Sequence, residues 1–273
     1  MTYFGVLLTF IVPPLIALAV WVPRDFWHWL VKQGPRGNWL PYQAVLLHVV
    51  IALLYTTPWD NYLVATGVWW YDPRLVTGIT LGWVPIEEYT FFILQTLLTG
   101  LWTVQVLRWM PSRPQLSSLR VNGWSSLIIA GLWLASVILW LIGWQPGVYL
   151  SLILGWALPP ILLQVAFGAD LLLGRWRALL VSVGIPTLYL WIVDSLAITS
   201  GTWTINPLQT TGIMLGRLPM EEMLFFAITN VLVASGVTLL LTPQSLPRAR
   251  QIFSRGLAWI QEPGGGAKPN GAD

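Results

Sequence analysis

Long apolar stretches separated by short polar segments set the pattern of the chain. A helix needs about 20 apolar residues to cross a bilayer, and seven stretches approach that length. Spanning structures are helices or closed barrels, because backbone polar groups in lipid must be paired within the protein. Stretches of this length favour helices. The pattern therefore predicts an all-α integral membrane protein with seven transmembrane helices, at approximately 2–22, 41–57, 84–107, 124–143, 148–170, 178–198 and 217–241.

The composition supports a membrane protein. Hydrophobic residues make up 56% of the chain and charged residues 9%, whereas soluble proteins average roughly 45–50% and about 25%. Cysteine is absent, which excludes disulfides and thiol chemistry. Residues 2–22 lack the basic start and small-residue cleavage site of a signal peptide, so we expect a retained helix there. The net charge of +3 needs no nucleic-acid partner to explain it.

The positions of the basic residues predict the topology. Four segments carry 12 of the 14 lysines and arginines, and they alternate with segments that hold only Arg74 and Arg217. Basic loops stay on the cytoplasmic side of a membrane. The sequence thus predicts an outer N-terminus and a cytoplasmic C-terminus. The basic residues are Arg24, Lys32, Arg36, Arg108, Arg113, Arg120, Arg175, Arg177, Arg248, Arg250, Arg255 and Lys268.

One stretch of the sequence occurs twice. Residues 78–92 (GITLGWVPIEEYTFF) return 134 positions later as 212–226 (GIMLGRLPMEEMLFF), and 60–92 shares 14 of 33 positions with 194–226. Each copy has an odd number of helices, three, and a single linking helix joins the copies. Both copies therefore cross the membrane in the same direction. This 3+1+3 arrangement predicts two parallel three-helix repeats at 1–109 and 145–242. It places the loop and linking helix at 110–144 and a cytoplasmic, disordered tail at 243–273.

Each copy carries two adjacent glutamates near the start of a helix, followed by two phenylalanines. Acids in a first turn can simply interact with the helix dipole. The same glutamates and phenylalanines recur in both copies, which favours a chemical role. The first phenylalanine follows the two glutamates by three and four positions, so its ring and the carboxyls share a helix face. Carboxyls packed on aromatic rings in a membrane resist ionisation. The candidates are Glu87, Glu88, Phe91 and Phe92 in the first copy, and Glu221, Glu222, Phe225 and Phe226 in the second.

An aspartate also recurs at the end of the preceding helix in each copy. Asp60 and Asp194 either orient a glutamate of their own repeat or lie on the surface just past a helix end. Trp69 and Trp203 either close a cavity or anchor at the membrane interface.

Several cofactors and metal sites are not expected. His28 and His48 have no repeat counterparts and no ligand-like spacing, so no metal site is predicted. Glycine-rich nucleotide-binding motifs are missing. The only lysines, Lys32 and Lys268, lie outside the helices, which excludes a retinal Schiff base. We expect no cofactor.

The doubled motif Pro-x-Glu-Glu-x-x-Phe-Phe, at 85–92 and 219–226, resembles the small membrane lycopene cyclases. The chain is similar to the fused archaeal and fungal form of the heterodimeric bacterial enzymes. The resemblance implies cyclisation of the linear ψ end groups of a lipophilic carotenoid to β or ε rings without net redox change. It also implies a bilayer setting, naturally a prokaryotic cell membrane. A homo-oligomer and contacts with other carotenoid enzymes stay open.

Such chemistry needs a neutral acid, a nearby base, and aromatic faces beside a carbocation. We expect Glu87 and Glu221 to supply the acid, with Glu88 and Glu222 as their proton partners. The paired phenylalanines would shield the cation, and the two aspartates would support the glutamates. Which half holds the acid stays open.

Three alternatives use the same features. A carotenoid 1,2-hydratase-like enzyme would share the protonation step and release a hydroxylated product. A small proton-coupled transporter could also use parallel repeats around a polar centre, although few polar side chains lie in the middle of the apolar stretches. A carotenoid-binding or structural subunit would need a partner for activity.

Overall fold

The protein is mostly helical, as the apolar pattern predicts. Its structure is a computed structural model that describes residues 1–21, 39–110 and 118–261. Seven helices in these ranges are long and apolar enough to cross a membrane, which confirms the predicted number. The first combines α1 and α2 around a π-turn at Leu7–Ile11. The bounds are α1 (Tyr3–Val6), α2 (Val12–Trp21), α3 (Pro41–Ala65), α4 (Ile86–Trp109), α5 (Leu119–Ile142), α6 (Val148–Leu173), α7 (Trp176–Thr199) and α8 (Met220–Leu241).

Helix α3 is longer than predicted. The sequence places its end at residue 57, but the helix continues through Pro58 to Ala65. Proline removes one backbone N–H, and a membrane helix tolerates this loss when neighbouring groups pair the freed carbonyl. As a consequence Asp60 lies inside the helix and is fully buried. Asp194 is likewise a buried residue of α7, so neither aspartate is a surface residue past a helix end.

Short strands connect the helices at one end of the bundle, which we call the motif end because α4 and α8 begin there. The strands are β1 (Trp69–Tyr71), β2 (Thr80–Leu81), β3 (Val84–Pro85), β4 (Trp203–Ile205), β5 (Met214–Leu215) and β6 (Leu218–Pro219). Strand β1 pairs antiparallel with β4, and Trp70 faces Thr204. These two residues are 134 positions apart, so equivalent segments of the two sequence copies meet at their midpoint.

A tight hairpin precedes each of the two central helices. Strands β2 and β3 form the first hairpin and β5 and β6 the second. Gly82 has φ +70° in the first turn, and an added Cβ would lie 2.1 Å from Asn61 Oδ1. That oxygen accepts a 2.7 Å hydrogen bond from the Trp83 N–H. The first hairpin is therefore fixed against α3, and it leads directly into α4.

Helices α4 and α8 form the centre of the bundle. They are the most buried of the seven apolar helices, and α5 is the least buried. A closed polar network joins the centre to α7: Asn230 Oδ1 accepts from Gln95 at 3.0 Å and Thr99 at 2.6 Å, and its amide donates to Thr187 at 3.0 Å. These four polar side chains thus hold three helices together.

The opposite end of the bundle, which we call the arginine end, includes a further helix. Helix α9 (Ser245–Gln261) occupies the part of the chain predicted as a disordered tail. This is a correction: apolar and basic residues alternate there with helical spacing, and Arg248 forms a 2.6 Å ion pair with Asp170. The hydrogen bonds to this carboxylate raise the pKa of the Arg248 guanidinium.

Some predictions fall on segments that the structure does not describe. The basic residues predicted in the first connection, together with His28, lie outside the described residues. The same is true of Arg113 and of residues 262–273, which include Lys268.

Candidate active site

A small cavity of about 40 Å³ lies at the motif end, between the two sequence copies. Four carboxyl groups line it, two from each copy. Asp60 and Glu88 come from α3 and α4, and Asp194 and Glu222 come from α7 and α8. Aromatic side chains form most of the remaining wall: Tyr3, Trp59, Trp69, Tyr71, Phe91, Phe92, Tyr149, Trp203, Phe225 and Phe226.

Phenol groups hold the two glutamates of the cavity. Tyr3 and Tyr71 donate hydrogen bonds to Glu88 Oε2 at 2.5 and 3.0 Å. Tyr149 donates to Glu222 Oε1 at 2.5 Å. Burial, together with the charges of Asp60 and Glu88, raises the pKa of Tyr71 well above its usual value. Its hydroxyl therefore remains a hydrogen-bond donor throughout the physiological pH range.

The two aspartates differ in their hydrogen bonds. Trp203 Nε1 donates to Asp194 Oδ1 at 2.9 Å. In the first copy the corresponding Trp69 Nε1 has no partner among the described residues, and both carboxyl oxygens of Asp60 are likewise unpaired. An ionised carboxylate without a partner is costly to bury. The two halves of the site therefore have similar side chains but unequal hydrogen-bond support.

No lysine, arginine or histidine lines this cavity in the part of the chain that the structure describes. Carboxyl groups that share an apolar site without a counter-ion cannot all be ionised, because their charges repel. The cavity consequently favours a state in which some of the four carboxyls hold protons. This is the property that a proton-donating site requires.

The first glutamate of each pair faces away from the cavity wall. Glu87 Oε1 accepts a 2.6 Å hydrogen bond from the Thr77 N–H, and Glu221 Oε1 accepts a 2.7 Å bond from the Thr211 N–H. Both glutamates are buried, and neither lines the cavity. They fix the segment that enters each hairpin. The expectation that Glu87 and Glu221 supply the acid stays a prediction, and the geometry favours their neighbours.

The paired phenylalanines join the two halves. The Phe91 and Phe226 rings meet edge to face with centroids 6.1 Å apart. Phe225 stacks on Trp59 at 5.8 Å, and Trp59 stacks on Trp156 at 4.6 Å. Ring faces of this kind attract a cation that lies over them. These rings thus give part of the cavity wall an electron-rich surface beside the four carboxyls.

The site shows no arrangement for a metal among the residues described. No group of three or more histidine, cysteine, aspartate or glutamate side chains has a metal-binding arrangement there. The donors present are phenol and indole groups directed at carboxyls, which suits proton transfer.

Sequence reasoning missed the three tyrosines and Trp59. Tyr3 and Tyr149 are 146 positions apart, as are the Pro13-Pro14 and Pro159-Pro160 pairs. A comparison of the first and fifth apolar stretches at that spacing would have found the two tyrosines. Tyr71 has Ile205 as its counterpart, so the repeat gives no signal for it.

Comparisons with known proteins match the same two blocks of sequence. The family model described as Lycopene cyclase matches residues 1–107 and 146–240. The Lycopene beta-cyclase of Halobacterium salinarum is 42% identical over 228 residues, which cover 83% of this chain and 90% of that protein. Bifunctional lycopene cyclase/phytoene synthases of Aspergillus oryzae and Phaeosphaeria nodorum are 36% and 39% identical, over 72% and 70% of this chain and 34% of each fungal protein. No solved structure matches the chain.

Proposed function

The chain belongs to the lycopene cyclase family, and we propose that the carboxyl cavity is the site at which it converts the linear ψ end groups of lycopene to β rings. The reaction is an isomerisation without net redox change, and the enzyme is a carotenoid cyclase. One observation carries the assignment of the site: glutamates from both copies of the motif meet in one apolar, aromatic-lined cavity.

The reaction begins with a proton transfer from a carboxylic acid to C2 of the terminal C1=C2 double bond. This leaves a tertiary cation at C1. The C5=C6 double bond then attacks C1, which closes a six-membered ring and moves the cation to C5. Loss of the C6 proton restores the double bond and gives the β ring. One proton is added and one is lost, so the product is an isomer of the substrate.

We assign the acid to Glu222 and the base to Glu88. Hydrogen bonds donated to a carboxylate stabilise its ionised form. Glu88 accepts from two phenols, Tyr3 and Tyr71, whereas Glu222 accepts from one phenol, Tyr149, and shares a proton with the Asp194 carboxyl. Glu88 is therefore better suited to remain ionised and to remove the C6 proton. Asp194 is hydrogen-bonded to Glu222 and can return a proton to it, and Asp60 lies in the same cavity as Glu88.

The aromatic wall has two functions in this mechanism. The faces of Phe225, Trp59 and the neighbouring rings stabilise the cation as it moves from C1 to C5. The same rings exclude water, which would otherwise add to the cation and give an alcohol. This second function separates a cyclase from a hydratase, and the relatives support a cyclase.

Two parallel three-helix repeats joined by a linking helix explain the cavity best. The pairing of equivalent residues in β1 and β4 supports a two-fold relation between the copies. Tyr3–Glu88 and Tyr149–Glu222 are equivalent pairs at equivalent places. The family match also omits residues 108–145, which contain α5. We propose that residues 1–109 and 145–242 each contribute half of one active site.

We further propose that the motif end faces outward and the arginine end faces the cytoplasm of a prokaryotic cell. Arg108, Arg120 and Arg175 lie at the ends of α4, α5 and α6 that are opposite to the cavity, where the positive-inside rule places them in the cytoplasm. The substrate is a lipophilic carotenoid taken from the bilayer, and nucleic acid has no part in the reaction. Contacts with a second copy or with other carotenoid enzymes remain predictions.

Pigment analysis of lycopene-accumulating cells that express this chain alone tests the function. Conversion of lycopene to a carotene with β rings is expected. Unchanged lycopene, with the protein present in the membrane, would contradict an autonomous cyclase, and a hydroxylated product would indicate a hydratase.

A further inference from the structure

We propose that an apolar groove between α3 and α6 binds the polyene tail of the linear carotenoid while its end group reacts in the carboxyl cavity. This inference rests on the proposed function and adds a substrate-binding site to it. We call the site the polyene groove. It has an outer chamber of about 350 Å³ and an inner chamber of about 390 Å³.

The outer chamber adjoins the carboxyl cavity. Phe92 and Phe225 line both spaces, so these two rings form the neck between them. Beside this part of the groove, α3 and α6 are joined by hydrogen bonds from Tyr55 to the Trp156 carbonyl at 2.8 Å and from Trp59 to the Leu152 carbonyl at 3.0 Å. Trp59 lines the carboxyl cavity, whereas Tyr55 and Trp156 line the outer chamber. An end group that passes the neck therefore leaves its tail in the outer chamber between the two helices.

The inner chamber continues the groove towards the arginine end. His48, Ile51, Leu163 and Gln164 line both chambers. The polar members of this set are bonded to backbone carbonyls: His48 Nδ1 lies 2.7 Å from the Ala44 oxygen, and the Gln164 amide donates to Leu232 at 2.9 Å. The rest of the surface is mainly aliphatic and aromatic, which suits a hydrocarbon.

The groove opens towards lipid at its rim. Ile51 is 47% exposed and Leu163 is 73% exposed, although both line the groove. A carotenoid dissolved in the bilayer can thus enter sideways between α3 and α6 without crossing water. Helix α9 lies beneath the inner chamber, where Ser245, Leu246 and Ala249 form part of its lining.

The length of the groove matches a membrane-spanning polyene. Glu222 lies at the carboxyl cavity and Leu240 at the inner chamber. Leu240 follows Glu222 by 18 positions in the same helix, which corresponds to about 27 Å at ~1.5 Å per residue. The hydrocarbon core of a bilayer is ~30 Å thick, and an extended linear carotenoid is of similar length. With one end group at the carboxyl cavity, the other end of the molecule lies towards the arginine end, so the second ring requires the molecule to leave and bind in the opposite direction.

A matched pair of substitutions on α3 tests the groove. Ala52 lines the outer chamber, whereas Val50 is 51% exposed on another face of the same helix. Ala52→Leu and Ala52→Phe fill the groove by increasing amounts, and Val50→Leu and Val50→Phe are the controls. Each protein is purified in nanodiscs and checked by size-exclusion chromatography. Lycopene turnover is measured in these proteins, and retained lycopene is measured by absorbance in versions that also carry Glu88→Gln and Glu222→Gln.

We expect Ala52→Phe to lower both lycopene retention and turnover at least tenfold, with Ala52→Leu intermediate and both Val50 variants within twofold of the parent. An active parent whose Ala52 and Val50 variants behave alike would overturn the groove. Lipid retained in place of lycopene would assign the groove to an acyl chain and overturn it as well. An inactive parent that still retains lycopene, and loses it in Ala52→Phe, would support the groove and refute the proposed function.

Discussion

Two adjacent glutamates in each motif have different environments, and glutamine substitutions should separate them. Glu88 and Glu222 line the carboxyl cavity, whereas Glu87 and Glu221 accept backbone N–H groups outside it. Glutamine keeps the size of glutamate and one carbonyl oxygen but cannot donate a carboxylic proton or act as a carboxylate base. We therefore expect Glu88→Gln and Glu222→Gln to be much less active than Glu87→Gln and Glu221→Gln.

The structure sets the size of the two effects. Loss of a general acid or base costs about 10²–10⁴-fold in rate, which corresponds to roughly 3–5 kcal/mol in the activation barrier. At Glu87 the glutamine oxygen can still accept the Thr77 N–H. An amide oxygen takes the place of a carboxyl oxygen in this bond, which costs about 1 kcal/mol at most. This second loss lowers stability and leaves turnover within about tenfold of the parent.

Turnover of lycopene in nanodiscs, with products separated by chromatography, measures the four variants side by side. Glu222→Gln should leave lycopene unchanged because no proton is delivered. Glu88→Gln should still form the cation and lose it by other routes, to hydroxylated products or to an ε ring. Equal loss of activity at Glu87 and Glu88 would refute the separation of roles. An active Glu222→Gln would refute the assignment of the acid.

Further substitutions test the support of the site and the packing of the bundle. Tyr149→Phe removes the phenol donor of Glu222, a bond worth about 1.5–3 kcal/mol, so turnover should fall about 10- to 100-fold. Tyr3→Phe should lower turnover less, because Tyr71 still donates a hydrogen bond to Glu88. Asn230→Leu removes three interhelical hydrogen bonds at about 0.6 kcal/mol each, and should lower the free energy of unfolding in detergent titration by about 2 kcal/mol. Arg248→Met leaves the buried Asp170 carboxylate without its ion pair. This change should lower the free energy of unfolding by about 3 kcal/mol. An unchanged unfolding midpoint would contradict the importance of that pair.

The sequence predicts the helices of this protein well because membrane depth imposes a strong pattern. A helix in lipid needs a long apolar stretch, and the seven stretches correspond to seven helices. The end of α3 was missed because Pro58 suggests a break, whereas the helix continues. Helix α9 was not predicted because the tail is rich in proline, glycine and arginine, which favours an irregular segment.

The candidate site is predictable in part for a related reason. The repeat identifies the glutamates, phenylalanines and aspartates, because symmetry keeps them at one spacing. It does not tell which glutamate of a pair faces the cavity, since Glu87 and Glu88 differ by one helical position and both are buried. That choice depends on the hairpin, whose Thr77 N–H binds Glu87 and leaves Glu88 to the tyrosines. The spacing of the motif does not predict such a contact.

A repeat with equal halves would give two equal glutamates, but the reaction needs an acid and a base. The asymmetry enters where the copies differ. Strands β1 and β4 meet at their midpoint, and at the spacing of 134 residues Tyr71 of one copy corresponds to Ile205 of the other. The Tyr71 hydroxyl reaches Glu88 at 3.0 Å, and an isoleucine at the equivalent place cannot donate to Glu222. In the proposed mechanism this tyrosine stabilises the Glu88 carboxylate over Glu222, so that two related halves perform opposite steps of one reaction in a shared cavity.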